Sequence, residues 1–213
     1  MARHPQVSLG AVPQWTAEDR QGVLDTIRRA MTLADQAWER SGQKSDGRVD
    51  PLTLVEADDC KVRVARINSE DMSPTDRGWV SGALRRRPTD TVTQIVLESK
   101  DTLGRRRFSL GHEYAHICLY RQRHGTAPEA TLAEVRRPND RDPDDAVYCR
   151  EKPDEYFADM FSHMFLMPSV VIRGMRRAGL TVDEMATKLK VTLTTMERRL
   201  LYLELEAEAL GVT

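Results

Sequence analysis

The sequence predicts an α+β fold in which a small, mostly antiparallel sheet packs against helices and a helix-turn-helix-like segment follows. Apolar residues recur at helical spacing over 16–40 and 103–122, and a β-branched run occupies 91–97. Two threonine-capped helical stretches then lie within 180–200. The 213 residues suffice for one sizeable core, or for one domain with a small appendage.

Composition indicates an ordinary globular protein and argues against several functional classes. The formal net charge is -1, so no global charge favours wrapping nucleic acid or lying on a membrane. No stretch approaches the ~18 apolar residues that span a bilayer, and the N-terminus lacks an apolar run of signal-peptide length. The three cysteines are odd in number and widely spaced, which favours reduced thiols. We therefore expect a cytoplasmic protein without a membrane partner.

The first 50 residues are predicted to form a loose arm and one helix. Thr16 and Asp19 resemble a helix N-cap signal, and apolar residues then repeat at helical spacing as far as Trp38. The segment 41–51 is rich in Gly, Ser, Asp and Lys, which predicts a loop.

Three segments after this loop favour β-strands. Residues 62–67 suggest one strand, and 79–84 suggest a second that is interrupted by Gly82. The segment 91–97, TVTQIVL, is the clearest because it is β-branched and bounded by charged turns. The spacing of the three segments allows a small, mostly antiparallel sheet.

Two further helices are predicted on either side of a long polar insert. The first covers 103–122, and the second begins an apolar run at 155–167 that ends before Pro168. The charged, proline-containing insert at 121–153 has the character of a functional or disordered loop.

The C-terminal section resembles a helix-turn-helix. Thr181 can cap a first helix, and Thr192 can cap a second that carries Arg198 and Arg199. One interpretation is that the second helix contacts DNA. The favoured alternative is a helical unit that packs against the core, since the acidic tail ELEAEAL would repel a phosphate backbone.

The segment HEYAH at 112–116 carries the strongest chemical signal. On a helix, His112 and His116 lie one turn apart on the same face, so both imidazoles can point at one metal ion. Glu113 lies one step round the helix, where it can act as the general base on a water held by that metal. The pattern predicts Zn²⁺, although a site of this composition also accepts Mn²⁺.

A catalytic zinc needs a third protein ligand and one open position. The candidate is Glu155, which begins the second apolar helical run. Asp159 lies four residues further on the same face, where a carboxylate can hold the Nδ1–H of a ligand histidine.

These two segments resemble a known family. RRFSLGHEYAHICLY followed by EYFADMFSHMFLMP is similar to the ImmA/IrrE metallopeptidases, whose members carry segments of the types RFTLAHELGH and ExxANxFAxxLLMP. Asp159 replaces the usual Asn of the second segment, and Tyr114 and Ala115 replace the common Leu-Gly of the first. The resemblance covers about 55–200 and implies a thermolysin-like zinc site with the roles assigned above.

The resemblance also implies a partner and a division of the chain. The expected substrate is a helix-turn-helix transcriptional repressor of a phage, a mobile element or a stress regulon. The expected units are an N-terminal arm and helix at 1–50, a zinc metallopeptidase domain at 51–170, and a helix-turn-helix-like segment at 171–213. An extended substrate could add as a strand to 91–97 if that strand lies at an edge of the sheet.

Several assignments stay open at this stage. His163 and Tyr156 are candidate stabilisers of the transition state, although Tyr114 and Tyr120 could also donate such a hydrogen bond and a histidine like His163 is more often a packing residue. Two rival functions remain: a DNA-binding regulator or antitoxin-like protein with a structural or vestigial zinc site, and a hydrolase of non-peptide amides. The sequence does not indicate an oligomeric state.

Overall fold

The computed structural model describes residues 15–40, 50–58, 60–67, 81–85, 92–125, 132–133 and 149–211. Its principal helices are α1 (Ala17–Arg40), α2 (Pro51–Ala57), α3 (Leu103–His124), α4 (Pro153–Leu166), α5 (Ser169–Arg177), α6 (Val182–Leu189) and α7 (Leu193–Ala209). Its strands are β1 (Cys60–Ala65), β2 (Gly82–Arg85), β3 (Thr93–Glu98) and the two-residue β4 (Leu132–Ala133). The α+β prediction is confirmed.

None of the described helices has both the length and the apolar character needed to cross a bilayer. Most of the predicted arm at 1–15, of the loop at 41–51 and of the insert at 121–153 lies outside the described residues. Trp79, at the start of the second predicted strand, also lies outside them.

The sheet has the order β1-β3-β2-β4 and is mixed. β3 pairs in parallel with β1 and antiparallel with β2, and β2 pairs antiparallel with β4. β3 is therefore not an edge strand, so the condition for an extended substrate to add to it as a strand is not met. The β-branched run of β3 instead fits a central strand, because Ile95 is fully buried between Val62 on one side and Leu84 on the other.

The helix α2 was not predicted. Asp50 caps it by accepting a hydrogen bond from the backbone N–H of Leu52, and Pro51 occupies its first turn, where a missing N–H has no cost. Burial of Leu54 and Val55 holds this short helix against the core. The Asp-Pro pair was a start signal that the polar composition of the preceding loop obscured.

The predicted N-terminal helix is observed as α1, and it packs against α4 and α7. The Trp38 indole donates to the Phe165 carbonyl at 3.2 Å, which joins α1 to the end of α4. In the middle of α1, the Arg28 side chain donates to the Ala209 carbonyl of α7 at 2.6 Å. Its core-facing stripe consists of Val23, Leu24, Ile27, Ala30, Leu33, Ala34, Ala37 and Trp38.

The helices α6 and α7 begin at the predicted threonine caps, but α7 does not present Arg199 to solvent. The Arg199 side chain is fully buried and donates to the Met167 carbonyl at 2.8 Å. The turn before α7 packs on α3, since a Cβ added to Gly104 would lie 3.0 Å from the Thr192 nitrogen. Arg199 is therefore not available to contact DNA, while the interpretation that α7 itself contacts DNA stays a prediction.

Candidate metal centre and active site

Helix α3 positions the HEYAH segment in the interior. Thr102 caps its start by accepting from the Arg105 N–H, and Gly125 ends it in the left-handed conformation with φ 72°. Between these caps, His112 and His116 lie one turn apart with their ring centroids 4.9 Å apart. The prediction of one helix over 103–122 is thus confirmed, and the helix continues for two more residues.

Helix α4 brings Glu155 and Asp159 to the same place. It starts at Pro153, a residue suited to the first helical turn, and lies closely against α3. The two helices approach at Gly111, where an added Cβ would lie 3.1 Å from Ser162 Oγ. A small residue on each helix therefore permits the short separation that the site requires.

Three potential metal-binding atoms converge between these helices. His112 Nε2 lies 3.1 Å from His116 Nε2 and 3.2 Å from a Glu155 carboxylate oxygen. The other Glu155 oxygen lies 3.5 Å from His116 Nε2. Within the described part of the chain, these residues form the group that could hold a metal ion.

The chemistry and closeness of these atoms suit zinc. The two Nε2 atoms are 3.1 Å apart, and each has a different Glu155 oxygen nearby, at 3.2 Å from His112 and at 3.5 Å from His116. The carboxylate is therefore within reach of an ion that both imidazoles would hold. The donor set of two imidazoles and one carboxylate also leaves the fourth vertex for water or substrate.

Asp159 supports this geometry from behind His112. One of its carboxylate oxygens lies 2.8 Å from His112 Nδ1. A proton on Nδ1 that is donated to Asp159 leaves the lone pair on Nε2, directed at His116 and Glu155. Acceptor atoms that face one another at such distances repel unless a cation or a proton lies among them, so the arrangement favours a bound cation.

The electrostatics of the site keep Glu155 ionised. Burial raises the pKa of this carboxyl, but its close contacts with the His112 and His116 rings outweigh burial and leave the pKa well below its usual range. Side-chain exposure rises from 0% for His112 through 14% for His116 to 33% for Glu155. The site therefore opens to solvent on the Glu155 side.

Glu113 is buried next to His112 in the chain, with its side chain against the start of β2. A Cβ added to Gly82 would lie 2.8 Å from Glu113 Oε1 and 2.9 Å from its Cγ. The sequence contained Gly82 as an interruption in a predicted strand, and only the fold connects that glycine with Glu113.

The candidate stabilisers His163 and Tyr156 are both buried on α4, and their role in the transition state stays a prediction. His163 lies eight residues beyond Glu155 on α4, a rise of about 12 Å. Its ring stands edge-on to Phe108 at 5.1 Å and to Tyr202 at 5.0 Å, which is a packing position. Tyr156 is fully buried next to Glu155 on α4.

Tyr114 faces a different set of partners at the back of α3. Its hydroxyl donates to Asp58 at 2.6 Å, and Arg121 also donates to this carboxylate. Arg40, at the end of α1, lies 3.4 Å from the Tyr114 hydroxyl and 3.6 Å from Cys118 Sγ. Burial raises the pKa of the Cys118 thiol to about 11, so this cysteine stays a neutral packing residue.

Comparison with known proteins places the chain in a family. Residues 57–201, well over half of the chain, match the family model of peptidase family M78, described as the IrrE N-terminal-like domain. No protein of curated function matches the chain. The matched region includes both helices that carry the converging ligands, and the family is one of metallopeptidases. The chain therefore belongs to the IrrE N-terminal-like family of metallopeptidases.

Proposed function

We propose that the protein is a zinc-dependent metallo-endopeptidase in which His112, His116 and Glu155 hold the metal and Glu113 is the general base. The observation that carries this proposal is the convergence of both Nε2 atoms and the Glu155 carboxylate, at separations of 3.1–3.5 Å, in a donor set that suits zinc. The preserved glutamate after His112 favours a catalytic rather than a structural ion, because a structural site does not need that residue.

The residues of the chain would divide the work of peptide-bond hydrolysis. A bound Zn²⁺ supplies Lewis acidity, which lowers the pKa of a water molecule and polarises the scissile carbonyl. Glu113 takes the proton of the attacking water and passes it to the leaving amine. Asp159 keeps the Nδ1 proton on His112 and so orients its ring.

We infer that the substrate is a helix-turn-helix transcriptional repressor of a phage, a mobile element or a stress regulon. The resemblance of both site segments to the ImmA/IrrE peptidases supports this substrate class, and the family match supports a protein substrate in general. A cytoplasmic location belongs to the same proposal, and it agrees with three cysteines that form no disulfide in the described part of the chain.

Metal analysis tests the assignment of the ligands. Purified wild-type protein should contain about one zinc per chain, and the same measurement distinguishes zinc from manganese. Glu155→Ala should lose the metal, whereas Glu151→Ala, which removes an exposed carboxylate just before α4, should keep it. Equal metal content in both variants would contradict the role proposed for Glu155.

Proteolysis tests the role of Glu113. Zinc-loaded protein is incubated with a helix-turn-helix repressor from its own genome, and fragments are identified by mass spectrometry. Glu113→Gln should keep its zinc and cleave about 10²–10⁴-fold more slowly, since general base catalysis contributes that much. Indistinguishable cleavage by the two proteins would refute the mechanism.

A further inference from the structure

The close approach of β2 to Glu113 singles out the first residue of that strand. Gly82 begins β2, and the position of its missing side chain is occupied by Glu113. The two nearest Glu113 atoms lie 2.8 and 2.9 Å from where a Cβ would stand, inside the roughly 3.4 Å of ordinary van der Waals contact. No residue other than glycine fits here unless the carboxylate or the strand moves.

The strand is held in place from three directions. Gly82 is paired opposite Leu97 of β3. The preceding residue, Ser81, accepts a hydrogen bond at its carbonyl from the Glu98 N–H at 3.0 Å. The buried Ser81 hydroxyl also accepts from Arg105 of α3 at 3.1 Å. Because the backbone is fixed on both sides, the side chain of Glu113 is the part that can give way.

We propose that Gly82 is a positioning residue for Glu113, and that its lack of a side chain sets where the general base stands. This inference rests on the proposed function for its catalytic consequence, although the steric relation between the two residues does not. To regain ordinary contact, the Glu113 side chain would have to move by at least about 0.5–0.6 Å beside an alanine at position 82. The fold would absorb this movement, because the affected atoms lie towards the end of a flexible side chain.

The kinetic test compares two glycine substitutions. Gly82→Ala is expected to keep its zinc and its KM, while kcat on the best-cleaved peptide of a quenched-fluorescence library falls by about 10- to 100-fold, since a displacement of 1 Å costs about 100-fold. The control is Gly22→Ala on α1, where an added Cβ meets no atom within 4 Å and kcat should be unchanged. An unchanged kcat in Gly82→Ala would overturn the proposal.

A thermal unfolding cycle tests the same relation without any assay of activity. Replacing a glycine in a compatible conformation raises Tm by about 1–4 °C in a chain of this size. Gly82→Ala should show that gain in a Glu113→Ala background, where the conflicting atoms are gone, and should show no gain or a loss when Glu113 is present. Equal shifts in both backgrounds would overturn the proposal even if the protein proved to have no peptidase activity.

The cycle also covers a failure to fold. If Gly82→Ala alone does not fold, the double variant Gly82→Ala with Glu113→Ala must fold, since it lacks the steric conflict. A double variant that also fails would show that Gly82 serves the strand and not Glu113.

Discussion

Replacing Arg199 with methionine is expected to lower the free energy of unfolding by about 3–5 kcal/mol, the cost of leaving one member of a buried ion pair without its partner. Arg199 and Glu206 lie two turns apart on α7, 2.7 Å from each other, and both side chains are 0% exposed. Arg199 also donates to Ser169 at 2.7 Å, and Ser169 donates to Glu206 at 2.6 Å. Together with the bond to the Met167 carbonyl, this network ties α7 to the end of α4.

Thermal unfolding followed by circular dichroism measures this effect. For a chain of 213 residues, 1 kcal/mol corresponds to about 2–4 °C, so Tm should fall by about 6–20 °C. Arg177→Met is the matched control, because Arg177 is exposed on α5 and its loss should change stability by no more than about 0.5 kcal/mol. The double variant Arg199→Met with Glu206→Leu should recover most of the lost stability, since no charge is then left buried.

The reasoning would be refuted if the Tm of Arg199→Met lay within about 2 °C of the wild-type Tm. In that case the buried arginine would matter no more to stability than the exposed Arg177 of the control. The same experiment separates two roles for the C-terminal helices. A DNA-contacting arginine would affect duplex binding and leave Tm unchanged, whereas a buried structural arginine affects Tm first.

Three further predictions concern the site and its support. Asp159→Ala should weaken zinc binding about 10–100-fold in chelator competition, and an unchanged affinity would show that Asp159 does not orient His112. Gly111→Val should overpack the contact of α3 with α4 and destabilise the protein by about 1–3 kcal/mol in urea unfolding, while equal stability would mean that the helices can separate freely. Burial raises the pKa of Glu98, but bonds from the Lys100 and Ile67 N–H groups lower it more, so the pKa is depressed below 4.5. The carboxylate then adds stability above that pH and loses it as pH falls further, and Glu98→Gln should flatten the acid side of a stability–pH curve.

The parts of the site that depend on local geometry were predictable from the sequence. His112 and His116 share a face because the helix has 3.6 residues per turn, and the repeated apolar positions of α3 predict that helix. Glu155 could be chosen because a carboxylate in an apolar helical run needs a partner. Each of these arguments uses only residues that are close in sequence, apart from the pairing of the two helices.

The parts that depend on tertiary contacts were not predictable in this way. The contact of Gly82 with Glu113 joins residues far apart in the chain. A single sequence does not show that the space beside a glycine is filled by the side chain of a distant residue. The order of the sheet had the same difficulty, since β3 became central only through its partners β1 and β2. The sequence predicted an exposed Arg199, because charged residues are rarely fully buried.

The helix α1 has a consequence for the limits of the folding unit. The family match begins at residue 57, after α1 has ended, yet Arg29 of α1 lies over the Phe157 ring and donates to Gln122 of α3. A fragment cut to the limits of the match would leave the apolar face of α4 that α1 covers facing water, a surface prone to self-association. We therefore expect the smallest stable folding unit of this chain to begin near residue 15, about 40 residues before the matched region.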